Sequence, residues 1–235
     1  MIISIDHVAV CTESFTNTIN QMKKNQFSIN FCKKDIPNLL IKRDFMHNFS
    51  NTQSIALMKS INGYNVEILS YDKYHNTHNQ FFPIFTSFPY SKSTIKNYLD
   101  TFDQISQIKN CTSFDKIIYP TVDIYKSSNF WKYFGFNIIM ETKDYLIMNF
   151  KDPFRNQNLQ IHLVFSRESI ISKLDDIGFN CIAFFSNSIH DEKQFLLNNG
   201  IKTSEIEKFE IDGKNLLILF GQGPSGELFE IISQM

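Results

Sequence analysis

A chain of 235 residues, of which 43% are apolar and 20% charged, can bury a sizeable core as one large or two small domains. Its formal net charge of -1 provides no basic excess to neutralise phosphates, so composition does not favour nucleic-acid binding. No segment approaches ~18 consecutive apolar residues, and no basic stretch precedes an apolar run at the N-terminus, so we expect neither a membrane span nor a signal peptide.

The cysteines argue for a reducing compartment. Their positions, Cys11, Cys32, Cys111 and Cys181, show no paired spacing. This distribution fits free thiols better than a disulfide framework or a zinc site. We therefore expect a soluble cytoplasmic protein.

The chain begins with a mostly apolar stretch, residues 2–11, which has the pattern of a strand covered on both faces. Side chains alternate along a strand, so His7 is expected on the face opposite Asp6. The face of His7 would also carry Ile5, Ala9 and Cys11, and the other face would carry Val8 and Val10.

A helix is predicted next, with Ser14 as its N-cap and Asn25 ending it in the left-handed conformation. A second strand and a hairpin follow, and the hairpin closes on Glu67 between Val66 and Ile68. Residues 1–70 therefore form a first unit with the order strand, helix, strand, strand, strand (βαβββ).

The same order is predicted for residues 115–165 and again for residues 178–235. In both units a position in the first strand lies 19 residues before the glycine that ends the helix. These pairs are Lys116 with Gly135 and Cys181 with Gly200. The common spacing favours repetition of one unit.

Each unit closes on one polar side chain between large apolar neighbours: Glu67, His162 and Glu230. Four residues earlier stands Gly63, Asn158 or Gly226, residue types that tolerate the positive φ of a tight hairpin. We therefore predict an α+β fold built from repeated βαβββ modules with curled mixed sheets, in three recognisable copies.

Residues 71–114 are less regular. Residues 81–88 have the pattern of a strand and residues 91–105 that of a helix. The segment is either a connector that packs outside the modules or a degenerate half-module. The connector is favoured because no hairpin with a central polar residue follows.

Short motifs in all three units resemble the vicinal oxygen chelate superfamily. In the first unit they are residues 5–10 (IDHVAV) and residues 66–69 (VEIL). Residues 121–136 are similar to the passage from strand to helix in that family, and residues 223–230 resemble its closing hairpin. The superfamily includes glyoxalase I, methylmalonyl-CoA epimerase, fosfomycin- and bleomycin-resistance proteins and extradiol dioxygenases.

The resemblance implies paired modules that curl around a cavity, with metal ligands on the first and last strands. The corresponding positions are His7 and Glu67, Lys116 and His162, and Cys181 and Glu230. His7 and Glu67 match the family at both places, and the third ligand would be Glu230 or His162. Because a short segment links the second and third modules, residues 115–235 are expected to form the barrel.

The ligand set implies a divalent metal, either Mn, Fe, Ni, Co or Zn, with room for two substrate oxygens. A carboxylate, Glu67 or Glu230, would then move a proton as the catalytic group.

Plainer interpretations of these residues are also open. In these, His7 is a hydrogen-bonded core histidine, Glu230 is a solvated side chain on a terminal strand, and Cys181 is a small buried residue.

Three functions remain open. A metal-dependent lyase, isomerase or oxygenase acting on a small oxygenated metabolite is favoured narrowly. The alternatives are a metal-free protein that binds or sequesters a small molecule, as resistance proteins do, and a structural or partner-binding role. The expected partner is a small-molecule ligand or substrate, without nucleic acid or membrane, and a homodimer is one possible assembly.

Overall fold

The strands form two curled mixed sheets, one of nine strands and one of five. The structure is a computed structural model that describes residues 1–75, 80–85, 114–155, 157–167 and 171–235. Within these ranges, three α-helices pack against the sheets in a shared apolar core. The predicted α+β class is therefore confirmed.

Three segments of the chain each begin with a strand and a helix and end with a hairpin, the order that the sequence predicts. That they are copies of one module stays a prediction. The first contains β1 (Ile2–Cys11), α1 (Phe15–Lys24), β2 (Ser28–Pro37), a 3₁₀ helix (Leu40–Phe45), β3 (Thr52–Lys59) and β4 (Asn65–Tyr71). After β5 (Phe82–Phe85), the second contains β6 (Phe114–Thr121), α2 (Ile124–Tyr133), β7 (Asn137–Glu141), β8 (Tyr145–Asp152) and β9 (Gln157–Phe165). The third contains β10 (Gly178–Ser186), α3 (Ile189–Asn198), β11 (Lys202–Thr203), β12 (Glu207–Ile211), β13 (Lys214–Gln222) and β14 (Leu228–Gln234).

The end of α1 differs from the predicted caps. The Ser14 side chain makes no capping hydrogen bond. Gln26, with a φ of 65°, adopts the left-handed conformation that was expected of Asn25. The Asn25 side chain instead donates to the Gln21 carbonyl while its own backbone stays right-handed. The left-handed residue therefore falls one position later.

Glycines end the other two helices as predicted. Gly135 has a φ of 90° after α2, and Gly200 has a φ of 71° after α3. Of the three residues expected to take a positive φ in hairpins, Gly226 does so and Gly63 and Asn158 do not. The turn chemistry of the three hairpins is therefore not shared.

The nine-stranded sheet joins the first and third segments. Its strand order is β11-β13-β14-β10-β1-β4-β3-β2, and β12 pairs with β13. β1 and β10 run antiparallel at its centre, and each has a parallel neighbour from its own segment, β4 and β14 respectively. The first and last strands of both segments therefore lie side by side.

This pairing corrects the expectation that the second and third modules form the barrel. The second segment has its own sheet, with the order β5-β6-β9-β8-β7. β5 pairs antiparallel with β6 and so occupies the edge that β10 would need. The corresponding edge of β1 is open to β10, and pairing there satisfies the backbone groups of both strands.

The side chains of β1 do not alternate as predicted, because the strand contains a bulge. The register with β10 shifts between Ile5 and His7, so the alternation of side chains is interrupted at Asp6. Ile5 packs in the core with Val8 and Val10, although it was expected on the opposite face. Asp6 and His7 both line a cavity on the other side. The bulge thus adds a second polar side chain to the cavity.

The two sides of the nine-stranded sheet differ. One side packs against α1, α2 and α3 in the large core that the second sheet shares, where Phe134 of the turn after α2 stacks on Phe184 with ring centroids 4.5 Å apart. The other side carries a smaller apolar cluster that includes Ala9, Leu69, Tyr71 and Cys181. The cavity opens on this second side.

Only part of the segment 71–114 can be compared with its prediction. The strand expected over residues 81–88 contains β5, which adds an edge strand to the five-stranded sheet. The helix expected over residues 91–105 lies outside the described residues. Among the helices that are described, none has the length and apolar character needed to cross a membrane.

Candidate metal site

Three strands of the nine-stranded sheet place His7, Glu67 and Glu230 together. Register explains the arrangement: Ala9 of β1 lies beside Glu67 of β4, and Ala183 of β10 lies beside Glu230 of β14. The antiparallel pairing of β1 with β10 brings these two parallel pairs to one place. The methyl groups of the two alanines leave space beside both carboxylates.

The three side chains form a compact buried group. Their potential ligand atoms all lie within 4.8 Å of one another. His7 Nε2 is 3.5 Å from Glu67 Oε2 and 3.6 Å from Glu230 Oε2. The exposed fractions are 3% for His7, 7% for Glu67 and 5% for Glu230. His7 Nε2 has no hydrogen-bond partner in the described part of the chain, so its position between two carboxylates is its main interaction.

Asp6 orients the imidazole from behind. Its Oδ2 lies 2.8 Å from His7 Nδ1, a contact that the bulge makes possible between adjacent residues. The Asp6 carbonyl accepts hydrogen bonds from Asn65 Nδ2 and Arg155 Nη2, which hold this part of the strand in place. A carboxylate on one ring nitrogen fixes the tautomer that presents the other nitrogen to a metal.

The charges of His7, Glu67, Glu230 and Asp6 interact strongly and shift one another's pKa values. Burial alone would lower the pKa of His7, but the carboxylates of Glu67, Asp6 and Glu230 outweigh it and raise that pKa well above its usual value. Burial would raise the pKa of Glu67, but the charge of His7 lowers it. The pKa of Glu230 is raised by burial and by the neighbouring Glu67 carboxylate. Without a metal, His7 is therefore an imidazolium paired with carboxylates.

The group lies in the wall of a cavity of about 170 Å³. Most of the remaining wall is apolar, with side chains from five strands: Phe31, Ile55, Leu57, Phe209, Ile218 and Ile232. Further polar side chains also line it: Asn30, Lys42, Gln53, Asp212, Lys214 and Gln234. Such a pocket, largely apolar with a few convergent polar groups, is typical of small-molecule sites.

His162 lies elsewhere and is corrected as a candidate third ligand. It is on β9 in the five-stranded sheet, where its Nε2 lies 3.2 Å from Gln160 Oε1. Burial and the charge of Lys116 lower its pKa to about 4, so its imidazole is neutral. The group that could hold an ion in the described chain contains Glu230 and not His162.

Cys181 occupies the position that corresponds to His7. It lies two residues before Ala183, as His7 lies two before Ala9, but it is buried and its thiol does not join the group. Burial, together with the carboxylates of Glu230 and Glu67, raises the pKa of the thiol well above its usual value. Cys181 therefore remains a neutral, small buried residue.

Sequence reasoning missed several polar residues of the cavity, among them Asp6, Lys42 and Gln53. Asp6 was assigned to the opposite face because the bulge has no signal in the strand pattern. Lys42 follows a loop and has the composition of an exposed segment, yet it is 2% exposed. Its burial depends on strands that are distant in sequence, so no local pattern could have indicated it.

Comparison with known proteins gives remote structural likenesses. No protein-family model and no curated protein matches the sequence. Among solved structures, a "putative dioxygenase" of Bacillus subtilis matches 99% of this chain and 64% of its own, at 10% identity and a TM-score of 0.42. The chain thus spans less than two thirds of that protein. Glyoxalase I of Zea mays, as a V278E mutant, matches 98% of this chain and 67% of its own, at 12% identity and a TM-score of 0.39.

A shorter match is the lactoylglutathione lyase of Agrobacterium tumefaciens, over 50% of this chain and 90% of its own, at 12% identity and a TM-score of 0.38. These proteins have the vicinal oxygen chelate fold, the group that the sequence motifs resemble. At such identities and TM-scores the likeness carries no argument about chemistry.

Proposed function

We propose that this protein binds a divalent metal through His7, Glu67 and Glu230 and acts as a lyase, isomerase or oxygenase on a small oxygenated metabolite. One observation carries the proposal: two carboxylates and an imidazole converge, deeply buried, in the wall of a cavity. Mn, Fe, Ni, Co and Zn all accept one imidazole and two carboxylates.

The residues fit such an ion. His7 Nε2 is buried, has no hydrogen-bond partner among the described residues and faces two carboxylate oxygens, while Asp6 contacts the other ring nitrogen. Two buried carboxylates in proximity are costly without a cation between them. A divalent ion at this place would supply a Lewis acid for two adjacent substrate oxygens.

The chain itself supplies the remaining requirements of catalysis. Glu67 and Glu230 present carboxylates to the cavity, so either is placed to take a proton from a bound substrate. The apolar side chains of the wall lower the local polarity, which strengthens electrostatic interactions at the buried polar group. Asp6 keeps the imidazole in one orientation and is a positioning residue.

A metal-free binding protein is the second candidate, and the same group offers an observation in its favour. Protonated His7 lies between the Glu67 and Glu230 carboxylates and beside Asp6, so the charges are partly compensated without an ion. The apolar cavity would then sequester a small molecule. Metal uptake distinguishes the two functions.

The test is the metal content of protein purified without chelators, measured by elemental analysis and by titration with Mn²⁺, Fe²⁺, Co²⁺, Ni²⁺ and Zn²⁺. We expect about one ion per chain in the wild type. His7→Ala should lose it, because three ligands become two and the remaining carboxylates are not oriented by an imidazole. His190→Ala, which removes an exposed histidine of α3, is the matched control and should keep the metal.

Equal metal content in the wild type and His7→Ala would place the ion elsewhere. Absence of metal from the purified wild type, together with failure to bind any of the five ions, would favour the metal-free binding protein. Circular dichroism of both variants ensures that a loss of metal is not a loss of fold.

A further inference from the structure

Lys42 is a buried cation in the same cavity as the metal group. It lies on the 3₁₀ helix and is 2% exposed. Its Nζ donates hydrogen bonds to Gln53 Oε1 at 2.8 Å and to the Tyr71 hydroxyl at 3.3 Å. It also lies over the rings of Tyr71 and Phe220, 5.7 and 5.3 Å from their centroids. These contacts hold the ammonium at one place in the wall.

The partners of Lys42 are neutral. No carboxylate in the described chain lies within ion-pair distance of its Nζ. An ammonium has three N–H donors, and the two hydrogen bonds to Gln53 and Tyr71 use two of them. The charge of Lys42 lowers the pKa of Glu67 and Glu230, so these carboxylates compensate it from beyond ion-pair distance. A bound anion would pair with the ammonium directly and use its remaining donor.

Gln53 provides a second, independent donor. Its Oε1 accepts from Lys42, which determines the orientation of the amide. Its Nε2 is then left buried without any hydrogen-bond partner among the described residues. Because Gln53 is 2% exposed and lines the cavity, this N–H group is available to a bound molecule and not to bulk water.

The two donors define the chemistry of the missing partner. A negatively charged acceptor with two oxygens suits an ammonium N–H beside an amide N–H, because each donor obtains one oxygen. The apolar side chains around them suit a hydrocarbon body. An organic carboxylate of modest size meets both requirements in a cavity of about 170 Å³.

We propose that Lys42 and Gln53 form an anion-binding subsite for the carboxylate of an apolar organic acid, whose remaining part faces His7, Glu67 and Glu230. That this acid is a substrate rests on the proposed function. The anion-binding subsite itself requires no metal. Glu67 and Glu230 share the cavity and repel an anion, so a bound divalent ion should strengthen binding.

The test uses benzoate and isovalerate as probes, each compared with its neutral amide, by isothermal titration at neutral pH. Titrations are done on protein stripped with a chelator and on protein loaded with Mn²⁺. We expect at least one acid to bind about tenfold or more tightly than its amide, since a charge-assisted hydrogen bond is lost with the amide.

Two variants test the residues. Lys42→Met keeps the length and apolar contacts of the side chain without the charge, and Gln53→Glu provides a carboxylate that pairs with Lys42 and repels the probe. Both should weaken binding of the acid about tenfold or more. Lys34→Met changes an exposed lysine outside the cavity and should bind as the wild type does. Should Lys42→Met fail to fold, Gln53→Glu still tests the subsite, because Lys42 keeps a partner.

Failure of both acids to bind, equal affinity for acid and amide, or wild-type affinity in both variants would overturn the subsite. Binding that depends on Lys42 in stripped protein that takes up no metal would support the subsite and refute the metalloenzyme. If the protein takes up metal and binds the acid equally well without Lys42, the metalloenzyme is supported and the subsite is refuted.

Discussion

The two sheets contain hairpins of similar sequence pattern, but the central polar residues come together in only one of the sheets. In the nine-stranded sheet, β4 and β14 flank the paired strands β1 and β10, and the polar residues Glu67 and Glu230 meet across them. In the five-stranded sheet, β9 flanks β6 in the same parallel manner. There the neighbour on the other side of β6 is β5, and His162 is not part of the group of potential ligands found among the described residues.

The comparison shows that a hairpin with a central polar residue is half of a site. The other half comes from another segment of the chain. The first strands of the two segments pair antiparallel, as β1 and β10 do. β5 prevents this pairing in the second segment because it occupies the required edge.

The largest effect is expected where the two sheets share a core. Phe134 follows α2 and contacts Phe184 and Phe229 of the nine-stranded sheet, with centroids 4.5 and 4.9 Å apart. Phe134→Ala should lower the free energy of unfolding by about 3–5 kcal/mol, because it removes a buried ring and leaves a cavity. Chemical denaturation measures the change. Phe154→Ala, at a ring that is 72% exposed, is the control and should change little.

The next largest effect is expected on metal affinity, which should depend on the nine-stranded sheet and not on the five-stranded sheet. Glu230→Gln removes one of three ligands and should weaken metal binding by more than about 100-fold, beyond the 10–100-fold loss that follows changes outside the ligand shell. His162→Gln should leave the affinity unchanged, because His162 is in the other sheet. Titration calorimetry with Mn²⁺ or Zn²⁺ measures both. Loss of affinity in His162→Gln would contradict the assignment of the site to one sheet.

A smaller effect on affinity is expected from Asp6. Asp6→Asn retains a hydrogen-bonding side chain near His7 Nδ1 but removes the charge, so metal affinity should fall about 10–100-fold. The stoichiometry of about one ion should remain, since the three ligands are intact. The same titration measures this variant, and a complete loss of metal, or an unchanged affinity, would contradict a positioning role for Asp6.

The pH dependence of stability should report on His162. Its pKa is about 4 in the folded protein and 6.5 as a free side chain, so the unfolded state binds the proton more readily. Its contribution is present above pH 6.5 and is lost as pH falls towards 4. Allowing for partial solvent screening, the loss is about 1–2 kcal/mol. His162→Gln does not titrate, and its unfolding free energy should fall less over this range; parallel pH profiles would contradict the prediction.

Local patterns were sufficient for much of the fold. Side chains alternate along a strand, so Glu67 points away from its neighbours Val66 and Ile68: these two pack in the core and Glu67 lines the cavity. Glycine positions predicted the ends of α2 and α3. Local patterns were misleading at β1, where a single extra residue in the bulge moved Ile5 to the helix side and brought Asp6 to His7.

The sequence by itself was sufficient to single out His7, Glu67 and Glu230 as candidate site residues on β1, β4 and β14. Strand periodicity acts over a few residues and depends on nothing distant. Only the tertiary structure decided that His7, Glu67 and Glu230 share one site while His162 does not, since strand pairing depends on which edges remain open. It also decided the burial of Lys42, whose partners Gln53 and Tyr71 belong to strands that follow it in the chain. Hydrogen bonds between distant strands, and not local propensity, created the polar part of the cavity.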